Sequence, residues 1–216
     1  RYIALNEFCR GKFIEGGLPA ERVVVKPNFV DFDAPQSVAR AGFLFVGRLS
    51  VEKGVATLAA AMGLLPDARL RVAGDGPEAG LLDGVPGVAK LGNLPGEAVR
   101  HEMSHAAALV VPSICYENFP RTIAEAFACR TPVIASRIGA LAELVRDGET
   151  GLLFEPGNPH DLADKIAWAL AHPEQMAAMG RTARAQYEAE FSAEVNYRRL
   201  MEIYDEVLAE QEMNKR

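Results

Sequence analysis

The stretch ALVVPSICYENFPRTIAEAFACRTPVIA, running from Ala108 to Ala135, decides the architecture. Ala108 to Val111 is a short apolar run without alternation, the pattern of a strand buried on both faces. A polar loop follows, and Pro120 to Cys129 reads as a helix, a proline being well tolerated in the first turn. Val133 to Ala135 is a second apolar run. Strand, helix, strand is the repeat of a parallel sheet covered by helices.

The same alternation extends outward. Further strands are expected at Phe43 to Gly47, Leu70 to Ala73, Val88 to Leu91 and Leu152 to Phe154, each short and buried on both faces. Helices are expected at Gly54 to Leu64, Pro95 to His105 and Ala140 to Val145. Beyond Pro159 the chain reads as helical to its end, with Leu200, Ile203, Tyr204, Val207 and Leu208 on one stripe. Ahead of Gly42 the pattern differs. A strand (Tyr2 to Leu5), a helix (Glu7 to Glu15), a Gly16-Gly17 stop and a strand (Val23 to Val25) precede a proline-punctuated stretch, Pro27 to Pro35, with the signature of a linker.

Composition narrows the function. The chain has 216 residues, 49% of them hydrophobic, enough for one full α/β domain with a real core. Its formal net charge is −6 and it has no Lys/Arg-rich run, which argues against nucleic acid as a partner. No apolar run is long enough to span a bilayer. The N-terminus lacks the regions of a signal peptide and an initiator Met, so a truncation or a processed product is expected. The three cysteines, Cys9, Cys115 and Cys129, have no metal-ligand spacing and read as small buried apolar residues in a reducing compartment.

In open parallel sheets, ligands bind beyond the carboxyl ends of the strands where strand order reverses. The residues there are rich in chemistry. After the first strand of the main sheet comes Gly47-Arg48-Leu49-Ser50-Val51-Glu52-Lys53-Gly54. The glycine permits close backbone approach, and two cations near a helix start suit a diphosphate. Gly74-Asp75-Gly76-Pro77 begins like a dinucleotide fingerprint, but Ala79 stands where a third glycine belongs. Gly92-Asn93-Leu94-Pro95 is a further turn into a helix. In the quoted stretch, Glu117 lies in the loop and Glu125 about two turns inside the helix, on the order of 12 Å apart. Between them sit the unpaired N–H groups of a helix start, near Arg121 and Thr122. One segment thus offers a carboxylate for a sugar, donors for phosphate and a carboxylate for a ribose. Glu125, flanked by Ile123, Ala124, Ala126 and Phe127, needs polar partners if it is buried, and otherwise lies on the solvated face or caps a backbone group.

These residues together resemble the carboxyl-half motif of family 4 glycosyltransferases. The E-x7-E spacing of Glu117 and Glu125, Gly47-Arg48 with Lys53-Gly54, Gly74-Asp75-Gly76-Pro77 and Gly148-Glu149-Thr150-Gly151-Leu152-Leu153 occur in the family's order. The resemblance implies an α/β fold with a Rossmann-like parallel sheet and helices on both faces, the C-terminal half of a GT-B enzyme. It implies that residues 1–40 are the tail of an acceptor domain plus linker, and that residues 41–216 bind the nucleotide sugar. The N-terminal acceptor-binding domain would then be absent from this chain, and the final helices would cross back onto it. Carried over, Arg48, Lys53 and Glu117 would be the catalytic set, the two cations on the diphosphate and Glu117 on sugar hydroxyls. Gly47 and the loop of Asn118, Phe119 and Pro120 would border the donor. Arg121 and Thr122 would hold phosphate, Asn93 and Leu94 the base, and Glu125 the ribose. Asn118 and Pro120 stand where the family often has glycine, and Asn118 adds a side chain near the sugar.

The implied reaction transfers a sugar from a UDP-, GDP- or ADP-sugar with retained anomeric configuration. It needs no cofactor and no metal, the leaving phosphate being met by fixed cations. Asp31-Phe32-Asp33, which mimics a metal-binding DxD, reads as a solvated turn in the linker. The implied setting is the synthesis of polysaccharides or glycolipids in the cytoplasm, with peripheral attachment of the full enzyme to the inner face of the membrane as a variant. A nucleotide-sugar-binding module without turnover is the alternative. An NAD enzyme is disfavoured because Ala73-Gly74 stands where an acidic residue should close the second strand.

Overall fold

Along β3 (Phe43–Val46), Phe43 and Phe45 pack into one apolar layer and Leu44 into another. Both faces are buried, which is why the run shows no alternation. The computed structural model describes residues 1–32 and 39–213. After β3 come α2 (Val55–Gly63), β4 (Leu70–Ala73), β5 (Val88–Gly92), α3 (Gly96–His105), β6 (Ala108–Val111) and α4 (Arg121–Ala128). β7 (Val133–Ser136), α5 (Gly139–Leu144), β8 (Gly151–Phe154), α6 (Pro159–Ala171), α7 (Pro173–Glu190) and α8 (Ala193–Met213) complete the chain. The strand and helix boundaries fall within a residue or two of those expected from the sequence.

The six strands from β3 onward form one parallel sheet in the order β5-β4-β3-β6-β7-β8. On one face Leu58 and Met62 of α2 and Leu162 and Ile166 of α6 cover the sheet. On the other, Met103, Ile123, Phe127, Leu141 and Ala183 bring in α3, α4, α5 and α7. The chain builds outward from β3 to β5, then returns and builds the other way from β6 to β8. The reversal falls between β3 and β6, so the loops leaving these two strands share the crevice where such sheets bind ligands.

Two loops meet there with almost no space between them. Gly54 has φ 72°, and a Cβ at that position would lie 1.9 Å from the Pro112 carbonyl oxygen. A side chain would force the loops after β3 and β6 apart. At the other end of the sheet, α4 closes with the N–H of Thr131 on the Ala126 carbonyl and that of Arg130 on Phe127. This is the paired termination that normally places glycine in the left-handed position. Here Arg130 occupies it at φ 57°.

One strand departs from its expected burial. β5 is an exposed edge strand rather than a buried one, and Lys90 on it projects to solvent. A charge at an unpaired edge opposes pairing with other chains. The stripe on α8 is partly uncovered: Tyr204 and Leu208 are 54% and 58% exposed.

The N-terminal residues form β1 (Tyr2–Ala4), α1 (Glu7–Glu15) and β2 (Val23–Val25), with β1 and β2 paired in a separate two-stranded parallel sheet. Ala4, Cys9 and Val23 make a small core of their own. The unit docks on the main domain through α1. Glu143 of α5 accepts hydrogen bonds from the backbone N–H groups of Glu7 and Phe8, both at 2.8 Å. A carboxylate at a helix start is favoured by the unpaired N–H groups and by the helix dipole. Part of the expected linker is firmly held. Val30 is buried, its carbonyl accepts from the Tyr187 hydroxyl, and Asn196 donates to the Pro27 carbonyl at 2.5 Å. The boundary expected between residues 40 and 41 adjoins residues 33–38, and Asp33 of the Asp31-Phe32-Asp33 turn lies outside the described residues. Cys9 and Cys129 are buried as expected, whereas Cys115 is only half-buried.

Candidate functional site

The short turn Val51–Lys53 leaving β3 is fixed before it presents any chemistry. The Ser50 hydroxyl donates to the Glu52 carboxylate at 2.6 Å, and the Glu52 carbonyl accepts from the Ile114 N–H at 3.0 Å. With Gly54 against Pro112, these bonds join the loops after β3 and β6. The consequence is that Lys53 reaches Glu117: Nζ lies 2.5 Å from Oε1. The same oxygen accepts from the hydroxyl of Ser113, which is buried, at 2.8 Å. Glu117 Oε2 has no bond among the described residues. One predicted cation and one predicted carboxylate, far apart in sequence, are therefore partners at the switch point.

Gly47, Arg48, Asn93 and Leu94 line one cleft of about 450 Å³ with Gly74, Asp75 and Val99, beyond the carboxyl ends of β3, β4 and β5. The cleft is within the usual size range of ligand sites. Arg48 is exposed, and its guanidinium makes no hydrogen bond or ion pair among the described residues. It acts on Glu52, whose carboxyl is held below the ordinary range first by the Ser50 hydroxyl and also by Arg48 and Lys53.

Pro120 precedes α4 and supplies no capping side chain. The N–H groups of Arg121 and Thr122 are thus open at a helix start that favours anions. Glu125 is one turn into α4 rather than two, because the helix begins at Arg121. It is half-buried, and its carboxylate has no hydrogen bond among the described residues. Burial pushes its carboxyl up, and the charges of Arg121 and Arg100 oppose that only in part.

A lone desolvated carboxylate destabilises the domain that holds it. Glu125→Gln is expected to raise Tm by roughly 2–4 °C, about 1 kcal/mol. The sign follows from linkage. A raised carboxyl binds its proton more tightly in the folded state, so the penalty is full above the folded pKa and disappears as pH falls below the unfolded one. Calorimetric scans at neutral pH should separate the two proteins and scans in acid should merge them. Equal Tm at both would mean that Glu125 is not a source of strain.

Two residues of the predicted set have other duties. The Phe119 side chain is in the core, edge-on to Phe191 at 5.7 Å between ring centres, so only its backbone borders the site. Asn118 turns toward α1: its carbonyl accepts from the Asn6 side chain at 2.6 Å, and its Oδ1 accepts from the Cys9 thiol at 3.1 Å. The N-terminal unit thereby grips the loop that carries Glu117. Sequence reading missed Ser113 and Arg100. Ser113 directly follows β6, the position searched for chemistry, but a serine there is unremarkable until Glu117 folds back on it. Arg100 lies on α3, and only the packing of α3 beside α4 brings its charge to Glu125.

Comparison with known proteins places this chain in a family. A profile described as "Glycosyl transferases group 1" matches residues 35–186. An uncharacterized glycosyltransferase of Methanocaldococcus jannaschii is 31% identical over 209 residues, covering 92% of this chain and 59% of the relative. The sulfoquinovosyl transferase of Arabidopsis thaliana is 32% identical over 152 residues, 67% of this chain and 29% of the relative. Among solved structures, Anabaena HepE in complex with UDP aligns with a TM-score of 0.84 over 94% of this chain and 63% of that one. At 24% identity, what the two share is the fold. The chain spans less than two thirds of each of these proteins.

Proposed function

Because the chain belongs to the group 1 glycosyl transferases, we propose that it is the donor half of a retaining enzyme that moves a sugar from a nucleoside diphosphate to a polysaccharide or lipid-linked acceptor. The observation that carries the proposal is the Lys53–Glu117 pair, set at the strand-order reversal beside the cleft of Arg48 and Asn93. The UDP bound by the structurally similar HepE supports a nucleotide as the ligand.

Lys53 is already neutralised by Glu117 before any donor arrives. Binding is then an exchange. The diphosphate takes Lys53 and the open N–H groups of α4, and Glu117 turns to sugar hydroxyls. Arg48 adds a second cation, the turn at Asn93 and Leu94 borders the base, and ribose hydroxyls give Glu125 the partners it lacks. In the reaction an acceptor oxygen bonds to the anomeric carbon as the carbon–oxygen bond to phosphate breaks. The acceptor hydroxyl's proton passes to the departing phosphate oxygen, and the charge gathering on the leaving diphosphate meets groups already in place. Retention follows from the family resemblance, and the anomeric configuration of the product would test it.

Residues 1–40 fit the tail of a second domain. Their two-stranded sheet exposes Tyr2 and Ile3, and Arg1 pairs with Glu206 and Glu210 on α8, whose apolar stripe is partly uncovered. An acceptor domain would cover both. No helix among the described residues is long and apolar enough to cross a membrane. A cytoplasmic enzyme, peripheral to the membrane through its other half, accommodates this.

The 216-residue chain is expected to bind a nucleotide through the groups described above. Calorimetry with UDP, GDP and ADP tests this. One of the three should bind in a 1:1 ratio, and heat from none of them would remove the donor site.

A further inference from the structure

A second cleft, of about 600 Å³, lies at the opposite end of the sheet from the donor site. Gly42, Ala107 and Pro132, the residues that lead into β3, β6 and β7, form its inner edge. Leu170 of α6 and Met176 and Ala177 of α7 give it an apolar wall. Three arginines, Arg40, Arg130 and Arg181, stand around it, and among the described residues no carboxylate lines it.

The charges are uncompensated. The Arg40 guanidinium is held by neutral acceptors alone: the Ala106 carbonyl at 3.1 Å, the Thr131 hydroxyl oxygen at 2.7 Å and the Cys129 carbonyl at 2.6 Å. Burial lowers its pKa, and the neighbouring Arg130 opposes its charge further. The Arg130 and Arg181 side chains are exposed and make no hydrogen bond or ion pair among the described residues. Arg130 also occupies a left-handed helix terminus where glycine would fit without strain. Like charges gathered with no acid among them attract an anion, and a guanidinium offers a forked donor to carboxylate or phosphate. The adjoining apolar wall needs something other than water against it.

We propose that this cleft binds a single-chain anionic amphiphile, an alkyl carboxylate or alkyl phosphate, with its head on Arg130 and Arg181 and its chain along Leu170, Met176 and Ala177. Arg40 fixes the floor and supplies field rather than a contact. The site is separate from the donor cleft and does not depend on the transferase reading.

The test is calorimetry of this chain with monomeric dodecanoate and dodecyl phosphate, below their micelle concentrations. Either or both should bind saturably in a 1:1 ratio, and the stronger identifies the head group. The Arg130→Asn/Arg181→Gln double variant, in which asparagine suits the left-handed backbone, should lose at least about tenfold in affinity while UDP binding is unchanged. Ala177→Trp, which fills the cleft from an exposed helix position and keeps all three arginines, should lose as much. The proposal is overturned if neither amphiphile binds, or if dodecyltrimethylammonium binds as well. It is equally overturned if inorganic phosphate alone matches dodecyl phosphate, if both variants bind like the parent, or if the chain binds phosphatidylglycerol vesicles but not the monomers.

Discussion

Lys53→Ala is expected to weaken UDP binding about 30-fold, near 2 kcal/mol, and to leave uridine binding almost unchanged. The ammonium is the cation that the backbone places most firmly, through Ser50, Glu52 and the Gly54–Pro112 contact. Removing it subtracts a charge-assisted bond to phosphate and also leaves Glu117 with Ser113 as its remaining partner. The uncovered carboxylate then repels the diphosphate. Glu117→Gln separates the two contributions. It releases Lys53 without removing it, so UDP binding should hold or tighten while the additional affinity conferred by the sugar is lost. Equal weakening of UDP and uridine by Lys53→Ala would take Lys53 out of the phosphate site.

The second large effect is structural. Gly54→Ala should destabilise the domain by about 3 kcal/mol, lower Tm by roughly 6–12 °C and abolish nucleotide binding. The methyl group would sit 1.9 Å from the Pro112 oxygen on a backbone at φ 72°. Relief requires the loops after β3 and β6 to separate, and that movement carries Lys53 away from Glu117. Gly148→Ala is the control. It has φ 79° but open space where its Cβ would stand, so only the backbone penalty applies, about 1 kcal/mol. Thermal unfolding of the two variants compares contact with conformation directly. Losses of the same size would show that the loop contact at Gly54 is not holding the site.

The parts of the molecule that were legible in the sequence share a physical cause. β3, β6, β7 and β8 are covered on both faces by helices, and unbroken apolar runs record that. The glycine turns announced where backbone must approach backbone, as at Gly54 against Pro112. What escaped depends on long-range geometry. β5 has nearly the same composition as its neighbours, and nothing local shows that it stays exposed at its edge while β8, the other edge strand, is buried. Phe119 looks like a residue of the site because it lies between Glu117 and Pro120, yet the turn directs it onto Phe191. No local pattern shows that Lys53 and Glu117 touch, or that Asn6 clasps Asn118. These contacts follow from strand order, which the sequence expresses only through the whole alternation. The amphiphile cleft is a further case. Arg40, Arg130 and Arg181 are scattered along the chain and meet only where the amino ends of β3 and β7 adjoin α7.

A crystal structure of the chain soaked with UDP would test the donor site most directly. The diphosphate should rest on the first turn of α4, hydrogen-bonded to Lys53 Nζ and to the N–H of Arg121 or Thr122, with the ribose hydroxyls on Glu125. A nucleotide bound elsewhere, with Lys53 still on Glu117 and Glu125 still without a partner, would contradict the account.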